Sequence, residues 1–195
     1  MEDHMEAHNL LEIKGLSKSY GDFALRDVNL AVPAGAIVGL VGVNGAGKTT
    51  LMKCALSLVK PDSGSIALFG EEIVGAPDSR IAQLHGRIGV VFDALPFPNV
   101  MTARAVGKCM TEAYSTWDPA KYDSLVDAFG LPVDKAVKDF SRGMGMKLQL
   151  ACALSHSPEL LLLDEATAGL DPISREEVLA ALADSMTHGR GISMA

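Results

Sequence analysis

Two short stretches carry the residue types that phosphate chemistry needs. The first is GVNGAGKTT, Gly42 to Thr50, with the spacing G-x-x-x-x-G-K-[ST]. Glycines at these positions let the backbone curl so that successive N–H groups point inward at an anion. An apolar strand leads in, and a helix from Lys48 leads out with Leu51, Met52, Ala55 and Leu56 on its apolar side. The start of that helix adds a partial positive charge. In this pattern Gly42, Asn44, Gly45, Ala46 and Gly47 form the cradle, Lys48 reaches the β- and γ-phosphates of a nucleotide, Thr49 binds Mg2+ through its hydroxyl, and Thr50 adds a further hydroxyl contact. The second stretch is LLLLDE, Leu160 to Glu165. Four leucines bury a strand and set Asp164 at its carboxyl end, where ligands of α/β sheets collect. Asp164 is then a second Mg2+ partner. Glu165 and Lys48 are the catalytic candidates, Glu165 by polarising a water for in-line attack on the γ-phosphate. A dinucleotide fingerprint does not fit, because G-x-G-x-x-G never occurs in frame.

The elements that must hold these residues alternate between short apolar strands and helical stretches, the pattern of a mainly parallel α/β sheet. LLEIKGLSKSY (10–20) and FALRDVNLAV (23–32) read as early strands around a Gly21-Asp22 turn. GAIVGLVG (35–42) reads as a strand buried on both faces. KPDSGSIALFG gives a turn at Pro61 to Gly64 and then a strand, and RIGVVF (87–92) and ELLLLDE (159–165) follow. Between Asp93 and Pro158 helical periodicity takes over, with Met144, Leu148, Ala151 and Leu154-Ser155 along one stripe. A helical insertion between two strands of one sheet is the expectation.

Composition narrows the class. The 195 residues are enough for one domain with a substantial core, and 48% are hydrophobic. The formal charge is -7, with no lysine or arginine block, so nucleic acid is not an expected partner. Cys54, Cys109 and Cys152 lack CxxC spacing and read as reduced thiols. No apolar run approaches the roughly 18 residues needed to cross a bilayer. The acidic start, MEDHMEAHNL, lacks the order of a secretory signal and reads as a frayed tail. His85 and His156 sit in polar, loop-like contexts and read as solvated; the methionines of GMGMK, with Trp117 and Tyr122, read as core packing.

The segment FSRGMGMKLQLACALSHSPELLLLDEATAGLDP, Phe140 to Pro172, resembles the signature-to-D-loop region of ABC ATPases, where L-S-G-G-Q opens a helix ahead of the D-E strand. The resemblance runs from Leu10 across nearly the whole chain. It implies a P-loop NTPase of α/β class, with a RecA-like, mainly parallel sheet core, an antiparallel β portion and an inserted α-helical subdomain. The implied layout is a tail at 1–9 and a single domain at 10–195, with 10–92 and 159–195 as the nucleotide-binding core and 93–158 as the helical subdomain. It also implies ATP and Mg2+ as cofactors, Tyr20 as an aromatic that stacks on adenine, Ser141, Arg142, Gly143 and Met144 as a signature acting on the partner's nucleotide, and Asp171 as the D-loop aspartate. Ser141 is independently a natural helix cap, and Gly143 lets backbone approach an anion. The implied partners are a second ATP-binding subunit, the same or different, and a polytopic membrane permease subunit. The implied location is cytoplasmic, peripheral on the inner face of the membrane. FSRGM, IGVVFDALPFPNVMT and YSTWDPAKYDSLVDAFGLP look like ATPases of ABC-2-type exporters.

Three positions depart from the family pattern. Asp93 stands where a glutamine is usual; a carboxylate is a hard oxygen ligand, so Asp93 is carried as a third Mg2+ candidate. Arg142-Gly143-Met144 replaces Gly-Gly-Gln, and Ala166 replaces a frequent proline. The strand beginning ISMA (192–195) stops about two residues short of the switch histidine that the resemblance implies, and His188 precedes that strand. The expectation is a domain incomplete at its C-terminal end, able to bind ATP and weak in hydrolysis. The alternatives left open are a hydrolysis-deficient nucleotide-binding protein and a soluble, non-transport ABC ATPase.

Overall fold

The computed structural model describes residues 9–21, 23–43, 45–165, 167, 169–186 and 191–194. Its strands form two four-stranded sheets. The first is antiparallel, built from β1 (Asn9–Tyr20), β2 (Phe23–Pro33), β4 (Ser63–Leu68) and the short β5 (Glu71–Glu72) in the order β2-β1-β4-β5. The second is parallel, built from β3 (Ile37–Gly39), β6 (Ile88–Val91), β7 (Leu160–Leu163) and β8 (Gly191–Met194) in the order β3-β8-β7-β6. The strand into the glycine loop and the strand into Asp164 are therefore separated by one strand, β8. In sequence β8 follows both of the strands it lies between, β3 and β7.

β7 explains its own composition. Leu160 and Leu162 join the core shared with the antiparallel sheet and helix α1 (Lys48–Ala55), whereas Leu161 and Leu163 join the core on the opposite face. With both faces covered, a strand has no solvent side to mark with polar residues, and the sequence reads as four leucines. β3 departs from its expectation. Only three residues form the strand, Ile37 is 59% exposed and Val41 fully so. The reason is position: among the described residues β3 is the outer strand of the sheet.

The helical insertion is present between β6 and β7, as α3 (Ala103–Ala113), α4 (Pro119–Ala128), a 3-10 turn (Val137–Asp139) and α5 (Arg142–Ser155). A further helix, α2 (Asp78–His85), precedes β6, and α6 (Pro172–Met186) follows β7. Capping fixes the starts of the inserted helices. The hydroxyl of Thr102 accepts the Ala105 N–H, the Asp118 carboxylate accepts that of Lys121, and the Ser141 hydroxyl accepts that of Met144. Each such cap stabilises its helix by about 1 kcal/mol. Trp117 and Tyr122 pack with ring centroids 5.1 Å apart, and the Tyr122 hydroxyl donates to the Ala103 carbonyl at 2.7 Å.

α5 is the shared wall of the two halves. Every residue from Met146 to Ser155 is buried. The Gln149 amide pairs with the backbone of Phe92, accepting its N–H at 2.9 Å and donating to its carbonyl at 3.0 Å, so it continues the ladder of edge strand β6 with a side chain. Lys147 forms an ion pair with Glu177 of α6. His156, at the end of α5, is not solvated as its sequence context suggested. It is 2% exposed and stacks on Tyr114 at 4.2 Å, because the chain turns back under α3 there. His85 is half-buried, and that burial lowers its pKa. Asn9, read as part of the tail, is already the first residue of β1.

Candidate nucleotide site

Helix α1 starts at Lys48 with Gly47 as its cap residue, and no side chain covers its first turn. Gly47 has φ +99°, a left-handed conformation that costs other residues about 1–2 kcal/mol. A Cβ there would lie 2.5 Å from Leu25 Cδ2 and 2.6 Å from Phe23 Cζ, so glycine is needed on two grounds. The loop closes on itself through Ala46 N–H donating to Val43 O at 3.0 Å. The Lys48 ammonium folds back onto the same loop, donating to the Gly42 carbonyl at 2.9 Å and the Val43 carbonyl at 3.4 Å.

Asp164 follows β7 directly, and its backbone N–H still donates to Val91 O at 2.8 Å. Its side chain is buried, and the Thr49 hydroxyl lies 3.1 Å and 2.9 Å from its two oxygens. This contact joins residues 115 apart in sequence. The next residue, Glu165, has φ +50°, and a non-glycine residue held there costs on the order of 1–2 kcal/mol. The turn brings Glu165 to a cavity of about 230 Å3 lined by Phe23, Gly45, Gly47, Lys48, Thr49, Thr50 and Glu165. The cavity thus combines uncapped helix N–H groups, one ammonium, two hydroxyls and one carboxylate. Thr49, which lines the cavity, and Asp164 behind it supply adjacent hard oxygens, a donor pair suited to Mg2+ that is also held by phosphate oxygens and water.

The other predicted residues form a second cluster at the start of α5. Ser141 caps the helix, Arg142 opens it, and Gly143 faces α6. A Cβ at Gly143 would lie 2.9 Å from Ser174 Oγ and 3.7 Å from Asp171 Oδ2. The Asp171 carboxylate accepts the Ser174 N–H at 3.0 Å, and that hydrogen bond holds its pKa below the usual value. Met144 packs partly buried against the core. Asp93 belongs here as well: its carboxylate lies 2.5 Å from Arg142 Nη2. Of the three Mg2+ candidates, Thr49 and Asp164 touch each other, whereas the contact of Asp93 is with Arg142. None of Ser141 to Met144 lines the cavity of Lys48 and Glu165.

Tyr20 ends β1 with its ring 47% exposed and the Lys18 ammonium 5.3 Å from its centroid. The ring that lines the cavity is Phe23, which faces Tyr20 across the β1–β2 turn and was not singled out in the sequence. An aromatic directly after a turn is a weak signal; only the fold shows that this turn overhangs Gly47. Asn44, Ala166 and His188 lie outside the described residues, as do residues 1–8 and Ala195.

A parallel sheet with a glycine cradle on one strand, a buried aspartate two strands over and a third strand between them defines a P-loop NTPase core. Comparison with known proteins narrows this. Residues 25–168 match the family model described as ABC transporter, and the chain belongs to that family. It is 33% identical over 188 residues to the bacitracin transport ATP-binding protein BcrA of Enterococcus faecalis, covering 95% of this chain and 59% of that protein. It is 36% identical over 187 residues to the daunorubicin/doxorubicin resistance ATP-binding protein DrrA of Streptomyces peucetius, covering 91% and 55%. The methionine import ATP-binding protein MetN of Bordetella pertussis is 35% identical over 193 residues, covering 90% and 51%. The chain therefore spans between half and three-fifths of the length of these relatives. Among solved structures, the ATP-binding subunit of an ABC transporter superposes with a TM-score of 0.82 at 29% identity, covering 95% of this chain and 78% of that one. A dimeric bacterial ABC transporter cassette superposes at 0.84 with 22% identity, which speaks for the fold alone.

Proposed function

We propose that this chain is the ATP-binding subunit of an ABC transporter, coupling ATP binding and hydrolysis to export through a separate membrane subunit. The observation that carries the nucleotide reading is the contact of Asp164 with Thr49, a residue that lines the Lys48 cavity, since it joins the two phosphate-chemistry motifs in space. In this reading the Lys48 ammonium leaves its loop carbonyls for the β- and γ-phosphates, and the first-turn N–H groups of α1 hold the same phosphates. Mg2+, held by Thr49 and Asp164, would neutralise charge on the phosphate oxygens. Glu165 orients and polarises the water that displaces ADP from the γ-phosphate, giving ADP and inorganic phosphate. Tyr20 offers an exposed ring for the adenine, with Phe23 closing the cavity nearer the phosphates.

Ser141 to Met144 and Asp171 sit away from this cavity. That favours an arrangement in which they meet the nucleotide of a second ATP-binding subunit. No helix among the described residues is long and apolar enough to cross a membrane, so the transport path would lie in the permease, with this chain on the cytoplasmic face. Export is supported by segments 88–102, 114–132 and 140–144, which look like exporter ATPases, and by the bacitracin and daunorubicin/doxorubicin relatives. The methionine import relative is of similar identity, so direction rests on those segments.

The test is titration of the purified chain with a fluorescent ATP analogue, with and without Mg2+. Saturable binding that Lys48→Ala weakens at least tenfold supports the reading; binding unaffected by that change overturns it. Co-purification of a polytopic membrane protein with the chain from its native host tests the transport half.

A further inference from the structure

β1 pairs with β2 along one edge and with β4 along the other. The ladder to β4 becomes irregular between Lys14 and Ser17, and its last pair is Ser17 with Ser63. Past that point Asp62, in the turn between α1 and β4, takes over the edge. Its N–H donates to Ser17 O at 2.8 Å, one carboxylate oxygen accepts the Ser19 N–H at 2.8 Å, and the other accepts the Lys18 ammonium at 2.8 Å. Three consecutive residues of β1 are therefore tied to one aspartate. The ion pair favours the charged form of both partners, raising the pKa of Lys18 and lowering that of Asp62. Lys18 and Tyr20, two apart on a strand, project to the same face, and the ammonium so held lies 5.3 Å from the Tyr20 ring centroid. The Lys18 side chain is only 17% exposed, whereas Tyr20 is 47% exposed. Neither residue is part of the hydrophobic cores, so packing does not account for an ordered cation over this ring.

We propose that Asp62 and Lys18 are positioning residues for Tyr20: Asp62 fixes the ammonium on one face of the ring, and the opposite face stacks on the purine base of the bound nucleotide. This rests on the ATP-binding reading above. A cation drawn to one π-face pulls electron density towards itself, and the other face then meets an electron-rich purine with less repulsion. The ion pair also holds the strand end that carries the ring, so less order is lost when the base arrives. Tyr20 pairs across the turn with Phe23, which lines the Lys48 cavity. Lys18 and Asp62 do not line that cavity, so their contribution falls on the base and not on the phosphates.

The experiment compares two ligands that share their phosphates and differ in the nucleoside, ATP and inorganic tripolyphosphate. Each is titrated with Mg2+ into the full chain by isothermal calorimetry. Lys18→Met keeps the length of the stem and removes the charge. It should weaken ATP binding about two- to fivefold and leave tripolyphosphate binding unchanged. Lys18→Arg, which keeps a cation over the ring, should bind ATP as the parent does. Asp62→Asn, which still accepts the Ser19 N–H, should weaken ATP in the same sense as Lys18→Met. In a Tyr20→Ala background Lys18→Met should cost nothing further, because Lys18 acts through the ring. Equal losses for ATP and tripolyphosphate, which a purely structural ion pair would give, overturn the proposal. So does a loss that persists without the Tyr20 ring, or parent-like ATP affinity in Lys18→Met or Asp62→Asn. A parent that binds ATP no more tightly than tripolyphosphate also overturns it while leaving phosphate binding intact. A parent that binds neither ligand brings down the function reading itself.

Discussion

Replacing Thr49 with valine keeps the shape of the side chain and removes the hydroxyl that reaches Asp164. That hydroxyl is within 3.1 Å of both carboxylate oxygens, and Asp164 is only 3% exposed. A hydrogen bond to a charged, buried acceptor contributes about 1.5–3 kcal/mol, and removing one partner leaves the other desolvated. Thr49→Val should therefore destabilise the nucleotide-free chain by about 2 kcal/mol, a fall in Tm of ~4–8 °C for a chain of this length. Asp164→Asn should recover part of that loss in the Thr49→Val background, because an amide costs less to bury unpaired than a carboxylate. A thermal-melt double-mutant cycle would then give a coupling of about 1–2 kcal/mol. The same variant should lose the extra stabilisation that Mg2+ adds to ATP, read as the difference in Tm between ATP with Mg2+ and ATP with chelator. A Thr49→Val chain melting within a degree of the parent, with additive cycle energies, would refute the reasoning, since it would mean that the two motifs do not touch in solution.

Gly107→Ala should destabilise although the change lies within a helix, where alanine normally gains about 1 kcal/mol. A Cβ there would sit 2.5 Å from Tyr122 Cε1, and overpacking of this kind costs about 1–3 kcal/mol; thermal melting gives the sign. Gly47→Ala should abolish saturable ATP binding while leaving far-UV circular dichroism near native, because the clash with Leu25 and Phe23 is local to the cradle. Stability should fall in acid partly through Glu159, whose pKa is lowered by its hydrogen bonds to Arg87. Its folded pKa lies below the ordinary 4.5, so its contribution is present above that value and lost as pH falls through the folded one. Glu159→Gln should accordingly flatten the low-pH limb of a Tm-against-pH plot. A thiol reagent should modify exposed Cys109 in the native chain and all three cysteines after denaturation, since Cys54 is buried and burial pushes Cys152 up to about 12.

The cradle, the aspartate strand and the inserted helices were legible because each depends on residues close in sequence: a glycine spacing, a leucine run, a capping serine. β3 was overread for the opposite reason. Its apolar composition is local, whereas its place at the sheet edge depends on β8, some 150 residues later. Phe23 was missed because nothing near it in sequence points to Gly47; the antiparallel sheet carries its ring there. His156 was misread because polar neighbours at a helix end say little about which helix packs over it. At Asp93 the sequence shows a loop carboxylate and nothing of the guanidinium on α5 that the fold sets beside it.

The same helix decides how the two clusters can communicate. α5 reaches β6 through Gln149, α6 through Lys147 and the gap at Gly143, and the segment after β6 through Arg142. β6 in turn pairs with β7, which leads into Asp164, the partner of cavity-lining Thr49. A displacement of Asp164 or Glu165 on nucleotide binding therefore has a short, packed route to the start of α5, through a strand buried on both faces and a buried amide clamp. Close-packed elements of this kind move as units rather than deform. The clamp at Gln149 is then the place where the route can be cut without touching either cluster. Gln149→Leu would keep the packing volume and remove both hydrogen bonds to Phe92. It should leave ATP affinity of the monomer unchanged and weaken ATP-driven self-association. Equal effects on both readouts would show that Gln149 is needed only for folding.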